Sequence, residues 1–68
     1  MTFELALGAL KTVSNDCYIL RTVNPLLKFR IKGGLFERKI GNGEWMPYIQ
    51  SFTVEEVLAD DWDFYNEL

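Results

Sequence analysis

Apolar side chains recur at helical spacing over the first dozen residues of the chain. Thr2 is a favourable N-cap immediately before them. The pattern predicts a helix over residues 3 to 12 with one apolar face, followed by a turn at Ser14 to Asp16. The residues that form the apolar face are Phe3, Ala6, Leu7, Leu10 and Val13.

A hairpin is predicted in the middle of the chain, after a first strand over residues 17 to 23 that is rich in β-branched and aromatic side chains. Apolar and basic residues alternate from Leu27 to Ile31, which is the period of a half-buried strand. Gly33-Gly34 can adopt the positive φ that a tight turn requires. A two-residue loop there pairs these residues across the two strands: Ile31 with Phe36, Arg30 with Glu37, Phe29 with Arg38, Lys28 with Lys39 and Leu27 with Ile40.

The last third of the chain predicts a short strand, a short helix and a final strand. Residues 44 to 49 form the short strand, and Pro47 favours an edge position. Thr53 and Glu56 have the spacing of a capping box, and Phe52 and Val57 that of a hydrophobic staple, so a helix begins at residue 54. The aromatic residues after it favour a strand.

These elements predict one α+β domain over residues 1–68: a small antiparallel sheet, an N-terminal helix packed on one face of it, and a short helix before the last strand. Cys17 lies in a predicted strand without a histidine partner, so it is expected to be a buried apolar residue. The predicted core consists of Phe3, Leu7, Leu10, Ile19, Leu27, Phe29, Ile31, Phe36, Ile40, Val57 and Trp62.

Composition narrows the possible functions. The chain has 68 residues, no histidine and one cysteine, so we expect no enzymatic activity, no cofactor, no zinc site and no internal disulfide. Its net charge of −3 argues against binding to duplex nucleic acid. Its apolar runs are far shorter than the ~20 residues that span a bilayer, so we expect no membrane partner and a cytoplasmic location.

Charge is divided unevenly along the chain. The charged side chains of residues 21 to 39 are all basic except for Glu37, and those of residues 44 to 68 are all acidic. In a small domain rich in aromatic side chains, two complementary halves favour self-association, and we expect a homo-oligomer.

Three groups of residues are candidates for a site, each with a structural alternative. The acids at residues 60, 61 and 63 could serve acid–base or cation chemistry, or form a solvated loop in which one acid pairs with a base. The basic hairpin could hold phosphates or be an ordinary solvated face. Several aromatic side chains could stack on a base or belong to the core: Trp45, Tyr48, Trp62, Phe64 and Tyr65.

The two ends of the chain carry a family resemblance. The opening MTFELALGALK and the closing TVEEVLADDW, with Arg21 between them, resemble a phage-encoded family once catalogued as a domain of unknown function. That family is described as Thoeris anti-defence proteins of the second type, with an anti-CRISPR relative. Asn24 stands where its members carry a middle tryptophan, and this chain is shorter. The matching residues are Phe3, Ala6, Leu7, Leu10, Lys11, Arg21, Leu58, Ala59, Asp61 and Trp62.

The resemblance implies a non-enzymatic phage protein of the host cytoplasm that binds and sequesters a cyclic nucleotide immune signal as a homo-oligomer. The ligand would be a cyclic ADP-ribose isomer or a cyclic dinucleotide. Arg21, Asn24 and Arg38 are the candidate ligand-binding residues, with Trp45 as the stacking partner. The alternative is a small adaptor or inhibitor that binds a host protein through its charged surfaces.

Overall fold

The computed structural model describes residues 1–12 and 16–66, which form two helices and five strands in the predicted order. This arrangement confirms the α+β class. Val13, Ser14 and Asn15 of the predicted helix face and turn lie outside the described residues. The helices are α1 (Phe3–Lys11) and α2 (Val54–Leu58), and the strands are β1 (Cys17–Arg21), β2 (Leu27–Lys32), β3 (Leu35–Ile40), β4 (Met46–Pro47) and β5 (Trp62–Asn66).

Both helices begin at the threonine that the sequence indicates. The Thr2 hydroxyl accepts a hydrogen bond from the backbone N–H of Leu5 at 3.2 Å. At the start of α2 the predicted capping box is formed: the backbone N–H of Thr53 donates to the Glu56 carboxylate at 2.8 Å, and the Glu56 N–H donates to the Thr53 hydroxyl at 3.2 Å. These bonds satisfy backbone donors that have no partner within the helix.

The five strands form one antiparallel sheet in the order β4-β3-β2-β1-β5. The predicted hairpin register is confirmed at every pair, including Phe29 with Arg38 and Lys28 with Lys39. Gly33 and Gly34 have φ of 61° and 79°, as a two-residue turn of this kind requires. The short strand around Pro47 does lie at the edge, although it is only two residues long.

One face of the sheet is covered by α1, and we call it the helix face. Ala6 and Leu10 of α1 pack with sheet residues on this face, where Ile19 and Trp62 have no exposed surface. Next to α1, Phe52 lies within about 5 to 6 Å of several aromatic rings and extends the core toward β3. Those rings are Phe3, Phe29, Phe36, Tyr48 and Trp62.

Part of the predicted core is wrong. Ile40 is 57% exposed, because α1 packs on β1, β2 and β5 and leaves the end of β3 uncovered. Val57 is 45% exposed, and Phe52, its predicted staple partner, belongs to the aromatic cluster instead. Leu7 and Phe36 are only half-buried, as are Phe3, Leu27 and Ile31, which pack against the buried core. Leu20, absent from the predicted core, is buried, and Cys17 is buried as expected.

Neither helix in the described part of the chain is long and apolar enough to cross a bilayer.

Truncating Trp62 should remove most of the stability of the domain. We expect Trp62→Ala to lower the free energy of unfolding by about 3 to 5 kcal/mol, a large part of the total for a domain of this size. Thermal unfolding followed by circular dichroism measures the effect. Trp45→Ala is the matched control, since Trp45 is half-buried outside this core. Equal losses in the two variants would contradict this account of the core.

Candidate functional site

Two of the four predicted ligand-binding residues lie together. Arg21 and Asn24 line a cavity of about 60 Å³ on the helix face, together with Leu27, Phe29, Glu56 and Trp62. Pockets that enclose drug-sized ligands have volumes of roughly 300 to 1,000 Å³. The cavity therefore has room for a few water molecules and not for a nucleotide.

Arg21, which lines this cavity, is held by acidic side chains. Its Nε and Nη2 donate to the two carboxylate oxygens of Asp61 at 2.9 and 3.3 Å, and its Nη1 lies 3.8 Å from Glu55. The hydrogen bonds from Arg21 are the main cause of a lowered pKa for Asp61 and, in return, a raised pKa for Arg21. Arg21 thus ties the end of β1 to the segment before β5.

The other two predicted residues lie elsewhere. Arg38 is on the helix face, opposite Phe29, but β2 separates it from β1, which carries Arg21. Two strand spacings amount to roughly 10 Å. Trp45 lies on the opposite face of the sheet, with the Arg30 guanidinium carbon 4.3 Å from its ring centre. The four predicted residues do not converge on one pocket in this structure.

The face that contains Trp45 is covered by neither helix in the described part of the chain, and we call it the open face. Tyr18 is the central ring: it stacks on Tyr65 at 5.7 Å with 20° between the ring planes, and lies 6.5 Å from Trp45. Three basic groups lie beside these rings. The open-face cluster consists of Tyr18, Lys28, Arg30, Lys39, Trp45 and Tyr65.

The charges of the open face are only partly balanced. Arg30 pairs with Glu37 at 2.7 Å. Lys28 and Lys39 are direct cross-strand neighbours. The Lys28 Nζ lies 5.0 Å from the Tyr18 ring centre, and the Lys39 Nζ lies 6.0 Å from the Trp45 ring centre. Neither lysine forms an ion pair with any residue that the structure describes. Like charges facing each other across two strands are destabilising unless an anion lies between them.

At the far side of the open face, Tyr65 donates a hydrogen bond to the Asp63 carboxylate at 3.4 Å. The charge of Asp63 is the main cause of a raised pKa for the Tyr65 hydroxyl. An anionic ligand would be repelled here, so the basic side of the cluster, toward β2 and β3, is the side suited to hold it.

Part of the open-face cluster could be predicted from the sequence. The hairpin register already places Lys28, Arg30 and Lys39 on the face opposite Phe29. Tyr18 was missed, although it alternates with Ile19 along β1 and so must point away from α1. The position of Trp45 depends on how residues 41 to 45 lead into β4, and periodicity does not determine that path.

The acidic segment has structural partners. Asp61 binds Arg21, which agrees with the structural alternative given above, and Asp63 accepts from Tyr65. Within residues 1–12 and 16–66, no three Cys, Asp or Glu side chains are grouped so that they could hold a metal ion.

No protein-family model, curated protein or solved structure matches this chain. The family resemblance therefore stays a prediction.

The Arg21–Asp61 pair should make stability depend on pH. Because the pKa of Asp61 is lower in the folded protein than the ordinary value near 3.9, the pair stabilises the fold above about pH 4, and this contribution disappears as the pH falls through the lowered pKa. We expect Asp61→Asn to melt at a lower temperature than the wild type at neutral pH. The difference should shrink in acid.

Asp60→Asn is the matched control, since Asp60 is exposed and forms no ion pair with the residues described. Melting curves of the three proteins between neutral pH and about pH 3 provide the comparison. A gap between Asp61→Asn and the wild type that stays constant over this range would contradict the assignment.

Proposed function

We propose that the protein binds a nucleotide on its open face without altering it chemically. The observation that carries the proposal is the pair Lys28 and Lys39, which face each other beside aromatic rings and have no ion-pair partner in the part of the chain that is described. A nucleotide combines a phosphate for the lysines with a base for the rings. Lys28, Lys39 and Tyr18 lie on paired strands of the sheet, so little ordering of these residues is needed on binding.

The phosphate would lie between the two ammonium groups. Lysine binds phosphate as a point charge, and a phosphate there converts a repulsive cross-strand pair into two attractive contacts. Arg30 is a weaker candidate for the same anion because Glu37 already occupies its guanidinium at 2.7 Å.

The base would stack on Trp45 or on the edge of the tyrosine pair. Trp45 is half-buried, so part of its ring remains reachable, and its electron-rich surface is already used to attract Arg30. Stacking of a base on an aromatic side chain contributes ~1 to 3 kcal/mol and tolerates any base. The open face thus favours the nucleotide class and leaves the identity of the base open.

Sequestration of a cyclic nucleotide immune signal is the form of this function that the family resemblance implies. A protein that removes a signal needs binding and no catalysis. Cys17, the one thiol in the sequence, is buried on the helix face and so lies away from the open-face cluster. The resemblance also implies a homo-oligomer, in which a second copy would add contacts to the ligand.

A thermal-shift screen tests the proposal. The ligands are cyclic ADP-ribose isomers and cyclic dinucleotides, with inorganic phosphate for comparison. A ligand present at 100 times its dissociation constant adds ~2.7 kcal/mol of stability, which raises the melting temperature of a domain of this size by on the order of 10 °C. The ligand should be recovered unchanged after heat denaturation of the complex.

Variants locate the site. We expect Lys28→Gln and Lys39→Gln each to weaken binding by at least ~tenfold, because each loses a charge-assisted contact worth roughly 1.5 to 3 kcal/mol. Lys11→Gln is the matched control, since Lys11 is exposed on α1, which covers the other face of the sheet; this variant should bind as the wild type does. If Arg38→Gln abolishes binding while Lys28→Gln does not, the ligand lies on the helix face. If no nucleotide shifts the melting temperature, the proposed function is wrong.

A further inference from the structure

The short helix α2 exposes an apolar stripe to solvent. Val54, Val57 and Leu58 are spaced as one face of a helix, and they are 75%, 45% and 77% exposed. No residue of α2 is buried. Single exposed apolar residues are common on protein surfaces, but here they occupy the same turn.

The orientation of α2 is fixed, so the stripe cannot rotate inward. The backbone carbonyl of Glu56 accepts a hydrogen bond from the buried Trp62 indole N–H at 2.7 Å. The capping box with Thr53 holds the start of the helix. A helix this short is not stable by itself, and these contacts determine which side faces solvent.

The surroundings of the stripe are acidic. Glu55 has 85% of its side chain exposed, and Asp60 follows the helix. No basic residue lies in the last turn of α2, so no cationic side chain of the helix offsets the partial negative charge of its C-terminus. Arg21 lies 3.8 Å from Glu55 and is shared with Asp61, which it contacts more closely at 2.9 Å, so the two acids retain a net negative charge.

We propose that the exposed face of α2 docks a basic amphipathic helix of another protein. Such a helix has apolar side chains at the spacing of the stripe and lysine or arginine side chains on its flanks, which complement Glu55 and Asp60. A second copy docked stripe to stripe would bring the acidic flanks of both copies together. An anionic lipid surface would be repelled by the same acids. The inference does not depend on nucleotide binding.

The test uses a fluorescein-labelled model peptide of about five helical turns, with leucines at i, i+3 and i+4 and lysines elsewhere. Fluorescence anisotropy should show micromolar binding to the wild-type protein. Val54→Gln with Leu58→Gln keeps good helix formers at exposed positions and should weaken binding at least ~tenfold. Glu55→Gln should weaken it less and make it less sensitive to salt.

Leu35→Gln is the matched control, since Leu35 is 71% exposed on the hairpin, away from α2. It should bind as the wild type does, and a scrambled peptide of the same composition should bind weakly. Equal binding of both peptides, or equal losses in the hairpin and α2 variants, would overturn the proposal. A dimer that forms without peptide and that the α2 variants abolish would also overturn the proposal, because the occupant would then be a second copy. Binding to anionic vesicles that the α2 variants abolish would overturn it too, because the occupant would then be a lipid.

Discussion

The burial of Trp62 is the constraint on which the rest of the structure depends. Its side chain has no exposed surface, and its indole N–H donates to the Glu56 carbonyl at 2.7 Å. Its backbone exchanges two hydrogen bonds with Met1, at 2.7 and 3.0 Å, and it pairs with Arg21 across the sheet. One residue therefore joins the start of the chain, α2, β1 and β5. A domain of this length buries only ~60% of the surface of its unfolded chain, so a single large anchor carries an unusual share of the stability.

The same constraint makes the two faces of the sheet different. Phe3, Phe29 and Phe52 pack with Trp62 on the helix face, with ring centres 4.9 to 6.2 Å apart in the contacting pairs. Tyr18, Trp45 and Tyr65 lie outside this core on the open face, where basic side chains flank Tyr18 and Trp45. Because the core is complete without them, their arrangement is free to serve binding. The orientation of α2 has the same origin, since the bond to Trp62 turns the helix so that its apolar stripe faces outward.

Local signals predicted much of the fold. The pair Gly33-Gly34 and the alternation from Leu27 to Ile31 determine the hairpin register, because a slip of one residue would expose the whole apolar set. The threonine caps were equally well indicated. The exposure of Ile40 and Val57 was not predictable in this way, since it depends on which strands α1 covers and on how Trp62 orients α2. Periodicity identifies an apolar face and does not say whether another element covers it.

The candidate site, too, was predicted from the sequence only where local patterns determine it. Arg38 was correctly placed opposite Phe29, since that follows from the register. Its separation from Arg21 follows from the strand order, and the position of Trp45 on the other face follows from the path of a loop. Neither the strand order nor the path of that loop leaves a periodic signal in the sequence. The facing pair Lys28 and Lys39 was visible in the sequence, and the aromatic rings beside it became apparent only in the folded chain.

The two tryptophans provide the most direct test, because one lies on each face of the sheet. A nitrogen–proton correlation spectrum of the labelled protein contains two indole N–H signals, from Trp45 and Trp62, which Trp45→Phe assigns. On titration with a nucleotide that stabilises the protein, the Trp45 signal should shift progressively while the hydrogen-bonded Trp62 signal stays in place. A shift of the Trp62 signal with Trp45 unchanged would put the ligand at the cavity beside Arg21 and would contradict binding on the open face.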